Sequence, residues 1–197
     1  MEPAFRIACW LHPPTYINKI VIASEEGGLR LWNTAENRCV HEFDNFDAAI
    51  TCMANAPALD VIAIGHDNGI VSLFHLKAGR LLHRFRQAGK VTAMTFRTEA
   101  SALPMLVTGD DLGDMTLWDL QNKKMLHVVR RAHDAGIVSM HFLPKQPLLL
   151  TSGADNALKV SLRLCLWLPK KKKKKNSRAS MASRNGSLMG WIMCHAC

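Results

Sequence analysis

Three side chains in the second half of this sequence have the types that a hydrolytic site needs. His133 can act as a base, Thr151 can supply a hydroxyl nucleophile, and Asp155 can orient the imidazole. Such a triad is catalytic only when its members meet in hydrogen-bonding order beside a space open to substrate. Order along the chain does not decide this, so the elements that carry these residues must be established first.

The other candidates for chemistry are weaker. Cys194 and Cys197 have Cys-x-x-Cys spacing, but no second pair completes a zinc site. Acidic residues stand beside glycines at 25–28 and 109–114, a composition typical of hairpin turns. The sequence has no Gly-x-x-x-x-Gly-Lys-Ser/Thr loop and no His-Glu-x-x-His motif. We therefore expect no enzyme, no cofactor, no metal and no small-molecule substrate.

The sequence repeats with a period of 42 to 44 residues. Residues 20–33, 61–75, 106–119 and 148–161 share an apolar run, a polar turn and a second apolar run. The turn glycines and the terminal rings keep that spacing, at Gly27, Gly69 and Gly113 and at Trp32, Phe74 and Trp118. In the fourth copy Asn156 stands at the glycine position and Ser161 at the ring position. Asn adopts positive φ more readily than most residues, so it can replace glycine in such a turn.

Two further runs repeat between these hairpins. One is "RCVHEF", "RLLHRF" and "KMLHVV", and the other is "AITCMANA", "KVTAMTF" and "GIVSMHF". Their alternation is typical of half-buried strands, which gives four short antiparallel strands per period. A period in the forties with four strands per unit is typical of β-propeller blades. We predict an all-β fold, a partial β-propeller of about three and a half blades.

The hairpin ends resemble a known repeat family. "LRLWN" and "MTLWD" resemble the Trp-Asp dipeptide that ends a WD-repeat blade, and "AHDAGIVSMHF" resembles the stretch that opens the next one. The resemblance covers residues 18–160, an incomplete propeller, and leaves residues 1–17 as a leading N-terminal segment. It implies that His133, Thr151 and Asp155 tie blade strands together. The third repeat departs from the pattern, with Lys90 at the His position and Leu112 at the Asp position.

The repeat stops at Ser161, and the composition changes there. Residues 161–197 carry nine basic residues, six of them in one lysine run, and no acidic residue. Three interpretations of this basic, low-complexity tail stay open: a nuclear-import or nucleic-acid patch, a disordered tail without a specific role, and out-of-frame or intronic sequence. We favour the last, because an A-rich stretch encodes a lysine run and the break falls at a repeat position.

The body of the chain is electrically balanced. Residues 1–160 contain 16 Lys and Arg and 16 Asp and Glu, so the net charge of +9 lies in the tail. This balance favours protein partners over direct RNA contact. Candidate interaction residues are Arg84 and Arg86, and Arg130 and Arg131, which equally fit solvated blade-edge positions. Six scattered cysteines and the lack of a long apolar run favour an intracellular chain without a membrane partner.

Several strings are more specific than the general repeat. "HPPTYINKIVIASEEGGLRLWN", "APALDVIAIG" and "PLLLTSGADNALKV" resemble one propeller of a nucleolar WD-repeat family. The resemblance implies a scaffold of the small-subunit processome, the U3 small nucleolar ribonucleoprotein, in 18S rRNA maturation. It also implies other WD-repeat and processome proteins as partners, with indirect contact to pre-rRNA or snoRNA. A WD-repeat adaptor of a ubiquitin ligase or chromatin complex, and a non-functional truncated product, remain alternatives.

Overall fold

The computed structural model describes residues 5–10, 18–56, 60–97, 104–143, 146 and 148–161. Within these ranges every regular element is a β-strand, and the strands form four antiparallel sheets. The described residues include no helix long and apolar enough to cross a bilayer. The prediction of an all-β fold made of propeller blades is confirmed.

Each of the first three sheets contains four strands that pair in chain order. The first sheet consists of β1 (Phe5–Trp10), β2 (Lys19–Ser24), β3 (Leu29–Asn33) and β4 (Arg38–Phe43). The second consists of β5 (Ile50–Asn55), β6 (Val61–His66), β7 (Ile70–His75) and β8 (Arg80–Arg86). The third consists of β9 (Val91–Arg97), β10 (Met105–Asp110), β11 (Met115–Asp119) and β12 (Lys124–Val129).

The fourth sheet has three described strands, β13 (Ile137–Phe142), β14 (Leu149–Gly153) and β15 (Leu158–Ser161). Its register repeats that of the other sheets at the ring position. The Cα partners there are Ile20 with Trp32, Ile62 with Phe74, Leu106 with Trp118, and Leu149 with Ser161. Ser161 therefore occupies the place that Trp or Phe takes in the first three sheets.

The turn between the second and third strands uses the left-handed backbone region in all four sheets. The φ angles are 90° at Gly27, 77° at Gly69, 84° at Gly113 and 58° at Asn156. Gly occupies this region without a Cβ penalty, and Asn tolerates it better than most residues. The four hairpins therefore share one turn geometry despite their different sequences.

The hydrophobic core is divided into three layers, each lying between two consecutive sheets. First strands of neighbouring sheets lie side by side, β1 with β5, β5 with β9, and β9 with β13. Two hydroxyls cross these boundaries at 2.5 Å: Thr51 donates to the carbonyl of Val91, and Thr92 donates to that of Ile137. Consecutive blades are thus joined both by apolar packing and by side chain–backbone hydrogen bonds.

The start of the first blade differs from the sequence prediction. The pattern assigns residues 1–17 to a leading segment, whereas Phe5–Trp10 pairs with β2 as the first strand of the first sheet. Ile7 of that strand packs against the first core layer. At the other end, the predicted basic tail beyond Ser161 lies outside the described residues.

Candidate functional site

One loop position before the first strand of a sheet recurs three times. Its backbone N–H donates to the carbonyl of the preceding turn glycine, at 2.9 to 3.1 Å. The residues at this position are Phe46, Gln87 and His133, bonded to Gly27, Gly69 and Gly113 respectively. The sequence prediction that Lys90 takes the His position of the third repeat is therefore wrong, since Gln87 occupies it.

The misassignment of Lys90 has a simple cause in loop length. Each loop residue stands four positions before its first strand, as Gln87 does before Val91. The step from Val91 to Leu106, however, is three residues longer than the step from Ile137 to Leu149. If the spacing of the fourth repeat is counted back from the second strand of the third repeat, the count therefore ends at Lys90, three residues after Gln87.

His133, Thr151 and Asp155 do meet, and they meet in the interior. His133 is 0% exposed and Thr151 is 1% exposed. Nδ1 of His133 lies 3.0 Å from a carboxylate oxygen of Asp155, and Nε2 lies 2.9 Å from the Thr151 hydroxyl. Because a carboxylate only accepts, Nδ1 of His133 donates to Asp155, and Nε2 forms the hydrogen bond with the Thr151 hydroxyl. Gly153 leaves the space for this ring, since a Cβ there would lie 2.5 Å from Nδ1.

This geometry joins three parts of one blade. His133 lies in the loop before β13, Thr151 lies on β14, and Asp155 lies in the turn after it. Asp155 also accepts the backbone N–H groups of Asp134 and Ala157, both at 3.0 Å. Every member is used in linking these segments, and a fully buried imidazole has no open side for a substrate.

We expect acid to weaken this link through Asp155. Its burial opposes the charge, but the N–H groups of Asp134 and Ala157 and the ring of His133 outweigh it and lower the pKa from 3.8 to about 2. A depressed carboxyl pKa stabilises the fold above the unfolded value, and this contribution is lost as the pH falls through the folded value. Between pH 3.8 and about 2, the free energy of unfolding should therefore fall less steeply in Asp155→Asn than in the parent.

Urea unfolding at a series of acidic pH values measures this slope. Asp134→Asn is the matched control, because its exposed carboxylate is adjacent and only its backbone N–H contacts Asp155. The control should keep the parental slope. An Asp155→Asn profile that parallels the parent would contradict the assignment.

The third blade makes the same link with different chemistry. The Trp118 indole donates to the Thr108 hydroxyl at 2.9 Å, and that hydroxyl donates to the Gln87 side-chain carbonyl at 2.5 Å. Trp118 also stacks on Phe85 with ring centroids 4.7 Å apart. An amide here replaces the imidazole of the fourth blade, which fits a structural role and removes the base that a repeated catalytic site would need.

In the second blade, the corresponding hydrogen bonds are made by His66, a residue that the sequence analysis did not predict. His66 is 2% exposed, and its ring nitrogens lie 3.1 Å from the Ser72 hydroxyl and 3.3 Å from the Ala48 carbonyl. Burial lowers the pKa of His66, with the Arg84 charge acting in the same direction. Its position in the repeat could have indicated it. His66 ends β6 four residues after Ile62, just as Asp110 ends β10 four residues after Leu106.

The two predicted arginine pairs occupy different places. Arg84 and Arg86 lie exposed on β8, the fourth strand of the second sheet. Arg130 and Arg131 follow β12 and contact Asp114: the Arg130 guanidinium lies 2.5 Å from one carboxylate oxygen, and the Arg131 N–H donates at 2.8 Å to the other. These contacts lower the pKa of Asp114, the Arg131 N–H being the main cause. The structure does not bring the two pairs into one site.

A depression of about 420 Å³ lies where the first three sheets meet. Its charged lining residues are Glu25, Asp67 and Lys90, and its partly exposed apolar lining residues are Ile7 and Ala49. Lys90, displaced from the expected histidine position, is thus an exposed cation in a concave surface. Charge of both signs beside apolar groups fits a peptide segment of a partner protein better than a polyanion.

The sequence matches one family over its blades. Residues 1–162 match the sequence profile of a family described as the WDR36/Utp21 first beta-propeller. WD repeat-containing protein 36 of Homo sapiens is 41% identical over 160 residues, which are 81% of this chain and 18% of that protein. U3 small nucleolar RNA-associated protein 21 homolog of Schizosaccharomyces pombe is 40% identical over 154 residues, 78% of this chain and 17% of that protein.

A third relative agrees with these two. U3 small nucleolar RNA-associated protein 21 of Saccharomyces cerevisiae is 32% identical over 150 residues, 75% of this chain and 16% of that protein. The chain therefore spans less than a fifth of the length of these curated relatives.

Solved structures share the fold alone. The crystal structure of the computationally designed Ika4 protein aligns with a TM-score of 0.66 and 17% identity, over 82% of this chain and 92% of that one. The designed Ika8 protein aligns with a TM-score of 0.64 and 17% identity, over 80% of this chain and 45% of that one.

Proposed function

This chain belongs to the WDR36/Utp21 family as a counterpart of its first β-propeller, and from that premise we propose a non-catalytic scaffold in ribosome biogenesis. The specific role is in the small-subunit processome, where the blades hold protein partners during pre-rRNA processing and 18S rRNA maturation. The observation that carries the proposal is the family match across all four sheets. Two relatives are named for their association with U3 small nucleolar RNA.

The polar interior supports binding over catalysis. His133, Thr151, Gln87 and Thr108 are all buried, and each is hydrogen-bonded within its own blade or to the adjacent loop. Among the described residues, no group of three His, Cys, Asp or Glu side chains is placed to hold a metal ion. The accessible features are instead surfaces, namely the depression around Lys90 and the exposed arginines of β8.

The proposed contacts are with proteins, and those with RNA are indirect. Residues 1–160 carry equal numbers of acidic and basic side chains. A surface that follows an RNA backbone needs a basic excess, because each phosphate contact neutralises one charge. The partners are therefore other WD-repeat and processome proteins, and the site of action is the nucleolus.

Affinity purification of the tagged full chain from nuclear extract tests this proposal. We expect U3 small nucleolar RNA to be enriched over an unrelated nuclear RNA of similar abundance. We also expect the co-purified proteins to remain bound after RNase digestion, whereas ultraviolet crosslinking should transfer little RNA to the chain itself.

Two results would overturn the proposal. Equal recovery of U3 and the unrelated RNA would remove the processome assignment. Recovery of ubiquitin-ligase or chromatin subunits in place of processome proteins would assign the scaffold to another complex.

A further inference from the structure

The outer edge of the second sheet is an unpaired strand edge. The fourth strand of each of the first three sheets is the last in its sheet, so one of its sides pairs with no strand of the described chain. In the second sheet this strand is β8, and the sheet itself lies between the first and the third. The outer edge of β8 is therefore a feature of the blade and does not depend on either end of the described chain.

The edge strands of the two neighbouring sheets have partners for their charges within their own blades. On β4, Glu42 is ion-paired with Arg30 at 2.9 Å. On β12, Lys124 is the cross-strand partner of Asp119. These two edges therefore present little uncompensated charge to a partner.

The edge strand of the second sheet is different. β8 carries three exposed arginines, Arg80, Arg84 and Arg86, and no acidic residue. Among the residues that the structure describes, none of the three guanidinium groups forms an ion pair with a carboxylate. The outer edge of the second sheet is thus basic and uncompensated.

Two of these arginines lie on the same face of the sheet. The cross-strand partners of Arg84 and Arg86 are Ser72 and Ile70, which are two residues apart on β7. Side chains two residues apart on a strand lie on one face, about 7 Å from each other. Arg80, which lies beyond a β-bulge in the same strand, is on the opposite face. Arg84 and Arg86 therefore form a pair, and Arg80 stands apart from it.

A narrow cleft lies between residues 46–48, in the loop before β5, and the hairpin of β7 and β8. Its volume is about 30 Å³. This is room for about two water molecules, or for one carboxylate group. The lining residues with polar side chains are Asp47, His66, Asn68, Ser72 and Arg84.

The polar groups of this cleft favour an anionic ligand. Arg84 is exposed and offers its guanidinium N–H groups. The side-chain oxygen of Asn68 accepts the N–H of Ile70 at 3.1 Å, so its NH₂ group remains able to donate to a ligand. Asp47 is the one acid among the lining residues, and the two positive charges of Arg84 and Arg86 outnumber it.

We propose that β8 binds an extended acidic segment of a partner protein, which adds to the outer edge of the second sheet. Two carboxylates of the segment, two residues apart, contact Arg84 and Arg86, and its backbone pairs with that of β8. A strand that adds to a sheet edge places alternate side chains on one face, with the spacing of these two arginines. The inference rests on the proposed scaffold role only in taking the partner to be a protein.

The geometry favours a peptide over an RNA backbone. The outer side of β8 presents backbone donors and acceptors that an added peptide strand satisfies and a sugar–phosphate chain does not. Single-stranded RNA requires a basic groove that follows several phosphates, whereas this basic pair is short and has Asp47 nearby. An apolar residue of the peptide can also cover Leu81, which is 39% exposed on the same face as Arg84.

Fluorescence anisotropy with a labelled peptide tests this inference. The peptide alternates glutamate with threonine, a residue that favours strands. The protein is the full chain with the lysines at positions 170–175 changed to glutamine, so that the basic tail does not attract the probe. We expect saturable binding at physiological salt, and Arg84→Glu/Arg86→Glu should raise the dissociation constant by about 10-fold or more.

Arg80→Glu is the matched control, because it makes the same charge change on the same strand but on the opposite face. At physiological salt exposed charges act over about 8 Å, so this variant should change the dissociation constant by less than about 2-fold. Arg84→Glu/Arg86→Glu should in turn bind a peptide that alternates lysine with threonine. If that variant does not fold, Arg84→Gln/Arg86→Gln removes the two charges without adding new ones.

A fully N-methylated form of the acidic peptide tests the pairing of the backbones. It keeps the side chains and the charge but has no backbone N–H to donate to the edge of β8. We expect it to bind about 10-fold more weakly than the unmethylated peptide. Equal binding of the two peptides would exclude the addition of a strand to the sheet.

Three further results would overturn the inference. One is a parent chain that does not bind the acidic peptide. Another is a loss of binding in Arg80→Glu as large as that in Arg84→Glu/Arg86→Glu. The third is tighter binding of oligouridylate than of the peptide, lost in the same double variant, which would assign the pair to phosphates. The assay contains no ribosomal component, so its failure and a failure to recover U3 RNA are separate results.

Discussion

Gly113→Ala is expected to lower the free energy of unfolding by about 3–4 kcal/mol, combining left-handed strain with overpacking. Gly113 has φ 84°, and an added Cβ would lie 2.2 Å from the carbonyl oxygen of His133 and 2.7 Å from that of Ala135. Both obstacles are backbone atoms, and His133 itself donates its N–H to the Gly113 carbonyl. To remove these clashes, the loop that carries His133 must move, and this movement disturbs the buried hydrogen-bond network of the fourth blade.

Gly79→Ala separates the two contributions. Gly79 also has a positive φ, 57°, but a Cβ there meets no atom within 4 Å. It should therefore cost only the strain, about 1 kcal/mol. Urea unfolding of both variants beside the parent measures the difference. If the two variants lost equal amounts of unfolding free energy, the close approach of the turn and the loop would not be the reason why position 113 requires glycine.

His133→Ala is expected to cost about 1–3 kcal/mol of stability, the penalty for leaving buried polar groups without their partner. The ring is fully buried, and its removal leaves the Thr151 hydroxyl and the Asp155 carboxylate without the group that joins them. Because Asp155 keeps its two backbone N–H donors, the loss is partial and the blade still forms.

A double-mutant cycle with Asp155→Asn tests the reason for the loss. If the two residues act through one contact, the double variant should lose less stability than the two single losses added together. Purely additive losses, or a His133→Ala variant as stable as the parent, would contradict the linking role of the imidazole.

The positions that the sequence predicted well are those held by strand register. Trp32, Phe74 and Trp118 each lie opposite an apolar residue of the preceding strand, and hairpin pairing keeps the turn and the ring in step. Because the four hairpins have the same length, the distance along the sequence between the second strand and the ring position is the same in every repeat. The period therefore predicted four equivalent hairpins, including the one where Ser161 replaces the ring.

The positions that it missed lie across connections of variable length. Gln87 could not be placed by counting from Thr108, because the connection between the first and second strands of the third sheet is longer than that of the fourth. The strand at Phe5–Trp10 was missed as well, because eight residues separate it from β2, whereas five to seven residues separate the first and second strands of the other three sheets. The exposure of a sheet face depends on what packs against it, so no pattern within one repeat marks Leu158 and Val160 as exposed side chains.

We propose that the chain acts by binding and that its buried hydrogen-bond networks only hold the blades together. Recovery of U3 small nucleolar RNA by His133→Ala, divided by the folded fraction of the variant at the same temperature, tests it most directly. We predict the same recovery per folded molecule as for the parent chain. A folded His133→Ala variant that recovers no U3 RNA would contradict the claim and give the imidazole a role beyond the fold.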